Sequence, residues 1–148
     1  MAQEGYGVVV AGVNMAAAEA LVQELTAAGL SAIAVHMDVS DEQEVEAGFD
    51  KMMETYGSCD LVMSNAGVQI VHSFDEYPFE DWKKMMAIHA DGAFLVARAA
   101  FRRMKASGKT GQAAGRGLYD WSKKDADDFR HRKQSPYFDG VKSWTMPG

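Results

Sequence analysis

Cysteine is nearly absent from the 148-residue chain. The single Cys59 excludes an intrachain disulfide and any chemistry that needs a cysteine pair. Long hydrophobic runs are missing too: none, that around Val8 to Ala11 included, comes near the ~18 residues of a membrane span. No metal site is expected, because His36 and His72 have no cysteine, histidine or carboxylate partners at ligand spacing. The opening Met1-Ala-Gln-Glu-Gly-Tyr6 lacks the basic start of a secretory leader, and with one cysteine it leads to a cytoplasmic expectation. Basic charge is in deficit, with 15 Lys+Arg against 21 Asp+Glu and a net charge of -6. That balance repels phosphate backbones, so neither nucleic acid nor a membrane surface is an expected partner. The basic run Arg130-His-Arg-Lys133 is offset by Asp120, Asp125, Asp127 and Asp128 and reads as a solvated helix end.

What is present describes one globular domain, 47% apolar and 24% charged. A chain of this length buries roughly 68–70% of its unfolded surface, enough for a core without staples. The charge is split, however. Residues 1–110 carry 8 basic and 16 acidic side chains, whereas residues 111–148 carry 7 and 5. The loose, glycine-rich Gly108-Lys-Thr-Gly-Gln-Ala-Ala-Gly-Arg-Gly117 lies at that seam, so the expected organisation is a core over 1–110 and a polar tail over 111–148.

Gly7-Val-Val-Val-Ala-Gly12 predicts a strand buried on both faces. A helix over 15–28 follows, with Asn14 as N-cap, Leu21, Leu25 and Ala28 on its apolar face, and Gly29 at the left-handed position beyond its end. Ser31–Met37 predicts a second strand. Ser40 and Gln43 have capping-box spacing before a helix whose face is Val45, Phe49, Met52 and Tyr56 and which Gly57 ends. Asp60–Ser64 predicts a third strand, and a long helix runs from about Phe79 to Lys105 with Trp82, Met86, His89, Ala93, Ala97, Ala100 and Met104 on one face. The alternation folds into a parallel sheet with helices outside, an α/β, Rossmann-like three-layer architecture. Ligands of such sheets bind beyond the strands' carboxyl ends, which points to Gly12–Asn14, Asp38-Val39 and Asn65–Gly67.

These segments carry a family resemblance. Asp60-Leu-Val-Met-Ser-Asn-Ala-Gly-Val-Gln69 resembles the Asn-Ala-Gly motif of short-chain dehydrogenases/reductases, Asp38-Val39-Ser40-Asp41 is similar to their adenine-contacting Asp-Val, and Gly92-Ala-Phe94 to their Gly-x-Phe. Within the family, Asn65–Gln69, Phe79–Lys84 and Ile88–Phe94 look most like bacterial 3-hydroxybutyrate dehydrogenases. The resemblance covers about residues 7–110. It implies an NAD-dependent oxidoreductase that interconverts 3-hydroxybutyrate and acetoacetate, a small-molecule substrate and a homo-oligomer. Asp38, Val39, Asn65, Ala66 and Gly67, together with terminal Pro147-Gly148, are the implied cofactor-binding residues, and Gln69 is the implied contact to the substrate carboxylate. Ala66 and Gly67 also have side chains too small to block a flat cofactor ring. Gln69 reads equally as a solvated loop residue.

Tyr119-Asp-Trp-Ser-Lys123 fits the family's Tyr-x-x-x-Lys pattern. Residues i and i+4 share a helix face, where an ammonium lowers the phenol pKa and makes tyrosine a general acid/base. The same five residues read as readily as a polar surface helix. His89 stands where many family members carry asparagine and 3-hydroxybutyrate dehydrogenases carry histidine, a third catalytic candidate whose other reading is a hydrogen-bonded core residue.

The departures from the family are specific. The opening strand resembles the family's second, so the first strand–helix unit and its Gly-x-x-x-Gly-x-Gly phosphate turn have no counterpart in the sequence. Gly12 stands where an acidic residue commonly holds the adenosine ribose. The strand bearing the catalytic serine also has no counterpart between Thr110 and Tyr119, and Ser107 reads as a helix-end residue. A second expectation follows from these departures: a non-catalytic Rossmann-like module that serves assembly or partner binding.

Overall fold

The computed structural model describes residues 5–108. Internal contacts divide the chain after Met104. The core up to that point is a Rossmann-like α/β unit on a parallel sheet. Its elements are β1 (Val8–Gly12), α1 (Met15–Ala27), β2 (Ala32–His36), α2 (Glu42–Tyr56), α3 (Phe79–Met86) and α4 (Gly92–Ala106), with a π-helical turn over Ala87–Asp91 joining the last two.

Strands β1 and β2 pair in parallel, Val8 opposite Ala32 through Gly12 opposite His36. Val8 N–H donates to Ser31 C=O and Met37 N–H to Gly12 C=O, at 2.9 and 3.2 Å. Residues 8, 10 and 12 therefore turn their peptide groups toward β2, and those of Val9 and Ala11 face the other edge. The third predicted strand does not form. Residues 60–64 join no ladder, and the described sheet has two strands. The doubly wound order places another strand between the second and fourth of the sheet, so this segment keeps a strand's alternation without a described neighbour to pair with. Val62 still packs inward, while Leu61 and Met63 are 42% and 73% exposed.

Asn14 caps α1 as expected, its Oδ1 accepting from Ala17 N–H at 3.1 Å. The inward face of α1 is Met15, Ala18, Val22 and Leu25, and Leu21 is exposed. The N-cap of α2 is Asp41 rather than Ser40: Asp41 Oδ1 accepts from Gln43 N–H at 2.8 Å and Glu44 N–H at 3.0 Å. Ser40 instead closes a turn on Asp38. A carboxylate two residues from the first free amides outcompetes a hydroxyl three residues away, because it accepts both bonds with charge. Gly57 ends α2 in the left-handed region, at φ 72°.

The core lies between α2, α4 and the end of β2. Met37, Val45, Phe49, Cys59, Val96, Ala99 and Ala100 are buried together. Alanines at 99 and 100 let α4 approach closely. Around this core, acidic α2 meets basic α4: Arg98 pairs with Glu42 at 2.5 Å, Arg102 with Glu46 at 3.1 Å, and Arg103 with both Glu46 and Asp50. Positions 42, 46 and 50 repeat at i+4 and so form one stripe of α2. The helix face predicted from sequence is inward only in part: Ala100 is buried and Met104 packs on the core as expected, whereas Trp82, Met86, His89, Ala93 and Ala97 are exposed and Gly92, Val96 and Ala99 are buried instead. The inward positions 81, 85, 88, 92, 96, 99 and 103 recur at three and four residues straight through the π-helical turn, one position earlier than the apolar pattern suggests.

Hydrogen bonding from Arg103, reinforced by the charges of Arg103, Arg102 and Arg98, holds the Glu46 carboxyl below the ordinary carboxylate range against a smaller opposing effect of burial. A depressed folded-state pKa contributes stability that is complete above the unfolded value, about 4.3 for glutamate, and is lost as pH falls through the folded one. Urea midpoints should therefore hold between pH 7 and 5 and drop below about pH 4. Glu46→Gln should make that acid limb shallower; a limb parallel to the wild type would contradict the assignment.

Candidate functional site

Two strand-end segments meet the turn between α3 and α4. The first is Asp38-Val39. Asp38 Oδ1 accepts from Ser40 N–H at 2.9 Å and from Ser40 Oγ–H at 2.7 Å, forming an Asx turn. These two bonds, the hydroxyl first, hold the Asp38 carboxyl below its usual range, with a smaller contribution from His36. Asp38 N–H donates to Glu44 Oε2 at 2.7 Å, and the same oxygen lies 3.0 Å from His36 Nδ1. Glu44 thus ties the end of β2 to the first turn of α2, a role the sequence signalled only as an acidic residue near a helix start.

Val39 rests on Gly92. A Cβ at Gly92 would lie 2.7 Å from Val39 Cγ2 and 3.2 Å from the Val39 carbonyl oxygen. The glycine of Gly92-Ala-Phe94 therefore lets the helix touch this turn.

The second segment is Asn65–Gly67, which is exposed. Its anchor is His89, whose Nε2 lies 2.7 Å from Val68 C=O and 3.1 Å from Val68 N–H. One ring nitrogen cannot donate and accept at once. The shorter contact fits Nε2–H donating to the carbonyl. A Cβ at Gly67 would stand 2.6 Å from His89 Cε1, so Gly67 is the residue that admits the ring. The structure thus places His89, a catalytic candidate from sequence, in a hydrogen bond to the loop backbone on an exposed turn outside the core. Residues 89 and 92 are three apart on the helix surface, one holding Val68 and the other seating Val39.

Gln69 follows directly and is exposed. Beyond it, Tyr77 O–H donates to Ile70 C=O at 2.7 Å, and His72 Nε2 meets Asp81 Oδ2 at 2.9 Å. Sequence reasoning missed Tyr77 because a tyrosine in an irregular loop carries no periodic signal. Tyr119, Lys123, Pro147 and Gly148 lie outside the described residues.

A nicotinamide dinucleotide finds a partial fit in this arrangement. Asp38 offers Oδ2 as an anionic acceptor beside β2, and Ala66-Gly67 offer an uncluttered loop. The turn after β1 does not make a pyrophosphate cradle. The Asn14 side chain already accepts from Ala17 N–H at the start of α1, and Gly12 has open space where a Cβ would stand, so no close approach requires that glycine.

Residues 1–114 match the short chain dehydrogenase family. Among curated relatives, an uncharacterized oxidoreductase, YuxG, of Bacillus subtilis is 38% identical over 112 residues, 74% of this chain and 16% of its own length. The L-rhamnose 1-dehydrogenase (NAD(P)(+)) of Azotobacter vinelandii is 38% identical, over 65% of this chain and 38% of that protein. A gluconate 5-dehydrogenase from Burkholderia cenocepacia, solved with NADP and tartrate, superposes with a TM-score of 0.66 at 31% identity, covering 72% of this chain and 42% of that one. A 3-ketoacyl-ACP reductase from Sinorhizobium meliloti gives 0.69 at 28%, covering 72% of this chain and 42% of that one. The chain spans less than half the length of each of these relatives.

Gly67→Ala should push the His89 ring off Val68 and cost about 1–2 kcal/mol, the range of a lost hydrogen bond with local overpacking. In a His89→Ala background the same substitution should cost nothing, and the cycle is read from denaturation midpoints. Equal costs in both backgrounds would refute the contact.

Proposed function

We propose a function from the premise that this chain belongs to the short chain dehydrogenase family, as its match over residues 1–114 shows: it forms the nucleotide-side part of a nicotinamide-dependent oxidoreductase acting on a small hydroxy acid. The observation that carries the proposal is the convergence of Asp38-Val39 and Asn65–Gly67 on the His89–Gly92 turn. These are two of the three segments whose motifs carry the resemblance, and the third, Gly92-Ala-Phe94, begins at the turn that holds them as a pair. The cofactor supplies or accepts the hydride. In this reading the Asp38 carboxylate receives the adenine amino group, Ala66 and Gly67 border the nicotinamide, and the Gln69 amide donates to the substrate carboxylate. Tyr119 exchanges the proton of the alcohol, and Lys123 lowers its pKa.

The substrate class rests on two supports. The residues Asn65–Gln69 resemble those of 3-hydroxybutyrate dehydrogenases. The relatives named for 5-keto-D-gluconate and gluconate, the latter solved with tartrate, act on or hold hydroxylated carboxylic acids. A hydroxyl and a carboxylate in one small molecule are common to both, and 3-hydroxybutyrate with acetoacetate is one pair of that class. Gly12 places no carboxylate near the adenosine ribose, so a 2′-phosphate meets no repulsion there. The chain is accordingly proposed to accept NAD and NADP alike.

A non-catalytic module is the second reading, favoured by the turn after β1, which offers no cradle to a pyrophosphate. Fluorescence titration with NADH and NADPH separates the two: the oxidoreductase reading expects saturable binding of both, and the module expects neither. Reduced-nucleotide formation with 3-hydroxybutyrate, gluconate and rhamnose then ranks the substrates. Tyr119→Phe should lower turnover by roughly 10²–10⁴-fold, the range for a general acid/base, with nucleotide binding retained. Undiminished turnover in that variant would sink the assignment.

A further inference from the structure

The loop after Asn65–Gly67 has no ladder of its own, yet the backbone carbonyls of the residues before and after one exposed side chain are both tied down. On the N-terminal side of Gln69, the carbonyl of the adjoining peptide, that of Val68, is held by His89 at 2.7 Å. On its C-terminal side the hold is one peptide further on, where the Ile70 carbonyl accepts from Tyr77 O–H, also at 2.7 Å. The donors come from different elements, 21 and 7 residues away, so no local turn explains the arrangement. We propose that Tyr77 is a positioning residue: with His89 it fixes the backbone on both sides of Gln69, so that the Gln69 amide is presented to a carboxylate-bearing substrate in one place.

The environment of Tyr77 is built to aim its hydroxyl. Its oxygen also lies 3.1 Å from Met85 Sδ on α3, and since the hydroxyl has one proton, the shorter bond to Ile70 takes it. The His72 ring stands edge-on to the Tyr77 ring at a centroid distance of 5.1 Å and an interplanar angle of 80°. His72 is itself held by Asp81 in the first turn of α3, at 2.9 Å. A chain of contacts thus runs from α3 through Asp81, His72 and Tyr77 to Ile70, and a second runs from the π-helical turn through His89 to Val68. Gln69 makes none of these bonds and is exposed, so its amide keeps both donors for a ligand. Ordering the peptide in advance removes an entropy cost that binding would otherwise meet.

This proposal rests on the reading of Gln69 as the carboxylate contact, and the test separates the two. Tyr77→Phe removes the hydroxyl and keeps the ring against His72. In the full chain, amide ¹⁵N relaxation of Gln69 and Ile70 should report a rigid backbone in the wild type and added fast motion in Tyr77→Phe. The dissociation constant for 3-hydroxybutyrate, from chemical-shift titration, should rise about fivefold, what one net hydrogen bond is worth. In a Gln69→Ala background Tyr77→Phe should leave that constant unchanged, which a purely structural role would not produce. A mobile Gln69 in the wild type, or relaxation unaltered by Tyr77→Phe, overturns the clasp. Looser relaxation with the same affinity loss in both backgrounds overturns positioning through Gln69. Affinity unaffected by Gln69→Ala, or no binding at all, overturns the Gln69 reading itself and the proposal with it, whatever the relaxation data show.

Discussion

Everything at the carboxyl ends of this sheet depends on one helix turn. The π-helical turn over Ala87–Asp91 joins α3, whose aromatic residues face outward, to α4, which buries Gly92, Val96, Ala99 and Ala100. His89 within that turn reaches the Val68 carbonyl, and Gly92, the first residue of α4, lies against the flank of Val39. Two glycines mark where the approach is closest, Gly67 under the imidazole and Gly92 under the valine. Their requirement is steric, since an added methyl meets another group within 2.7 Å at each.

That turn can hold its partners only because α4 is itself fixed. Apolar burial sets its depth, and the ion pairs from Glu42, Glu46 and Asp50 to Arg98, Arg102 and Arg103 bear on its rotation. Exposed pairs of this kind contribute little individually, on the order of 0–1 kcal/mol. Their spacing matters more than their number. A stripe of acids at i+4 opposite arginines at 98, 102 and 103 is matched in one register, and a rotation of α4 would separate several pairs together. Arg103, the most enclosed of the three, also stacks over the Phe49 ring at 5.6 Å, joining the charged stripe to the buried core. The α2–α4 clamp therefore underlies the position of His89, and through it that of the Asn65–Gln69 loop.

Much of this was legible in the sequence, and the misreadings have a common source. Periodicity and caps found β1, β2, α1, α2 and the span of the long helix, because those signals are local: Asn14 before α1, Gly57 after α2, and Val45 with Phe49 on one face. The strand-end segments were legible through three short motifs in order. What failed required knowledge of neighbours. Ser40 and Asp41 both suit an N-cap, and only the bonds from Asp38 to Ser40 decide between them. Residues 60–64 have a strand's composition, but a strand is a pairing, and no described strand pairs with them. The helix face was misassigned in part because Trp82, Met86 and Ala93 are apolar yet stand outward, and apolar composition alone does not tell a covered face from an exposed one. Tyr77 was invisible because its partner is a carbonyl, a group every residue carries.

The Asp38 and Gln69 ends of this surface differ in how completely they are organised, and the difference is physical. At the Asp38 end the acceptor is preset: two bonds from Ser40 orient the carboxylate and Glu44 fixes the peptide behind it, so little ordering remains for a ligand to impose. At the Gln69 end the backbone is held and the side chain is left open. Between them, the turn after β1 spends its one side-chain acceptor on the helix it caps and offers no glycine-lined approach. In the proposed reading the Asp38 end holds the cofactor and the Gln69 end the substrate, so the chemistry depends on how rigidly these two anchors are spaced. The His89–Gly92 turn sets that spacing, touching one segment through a hydrogen bond and the other through a bare van der Waals contact. Loosening either contact would alter the distance between the anchors before it altered either anchor's chemistry.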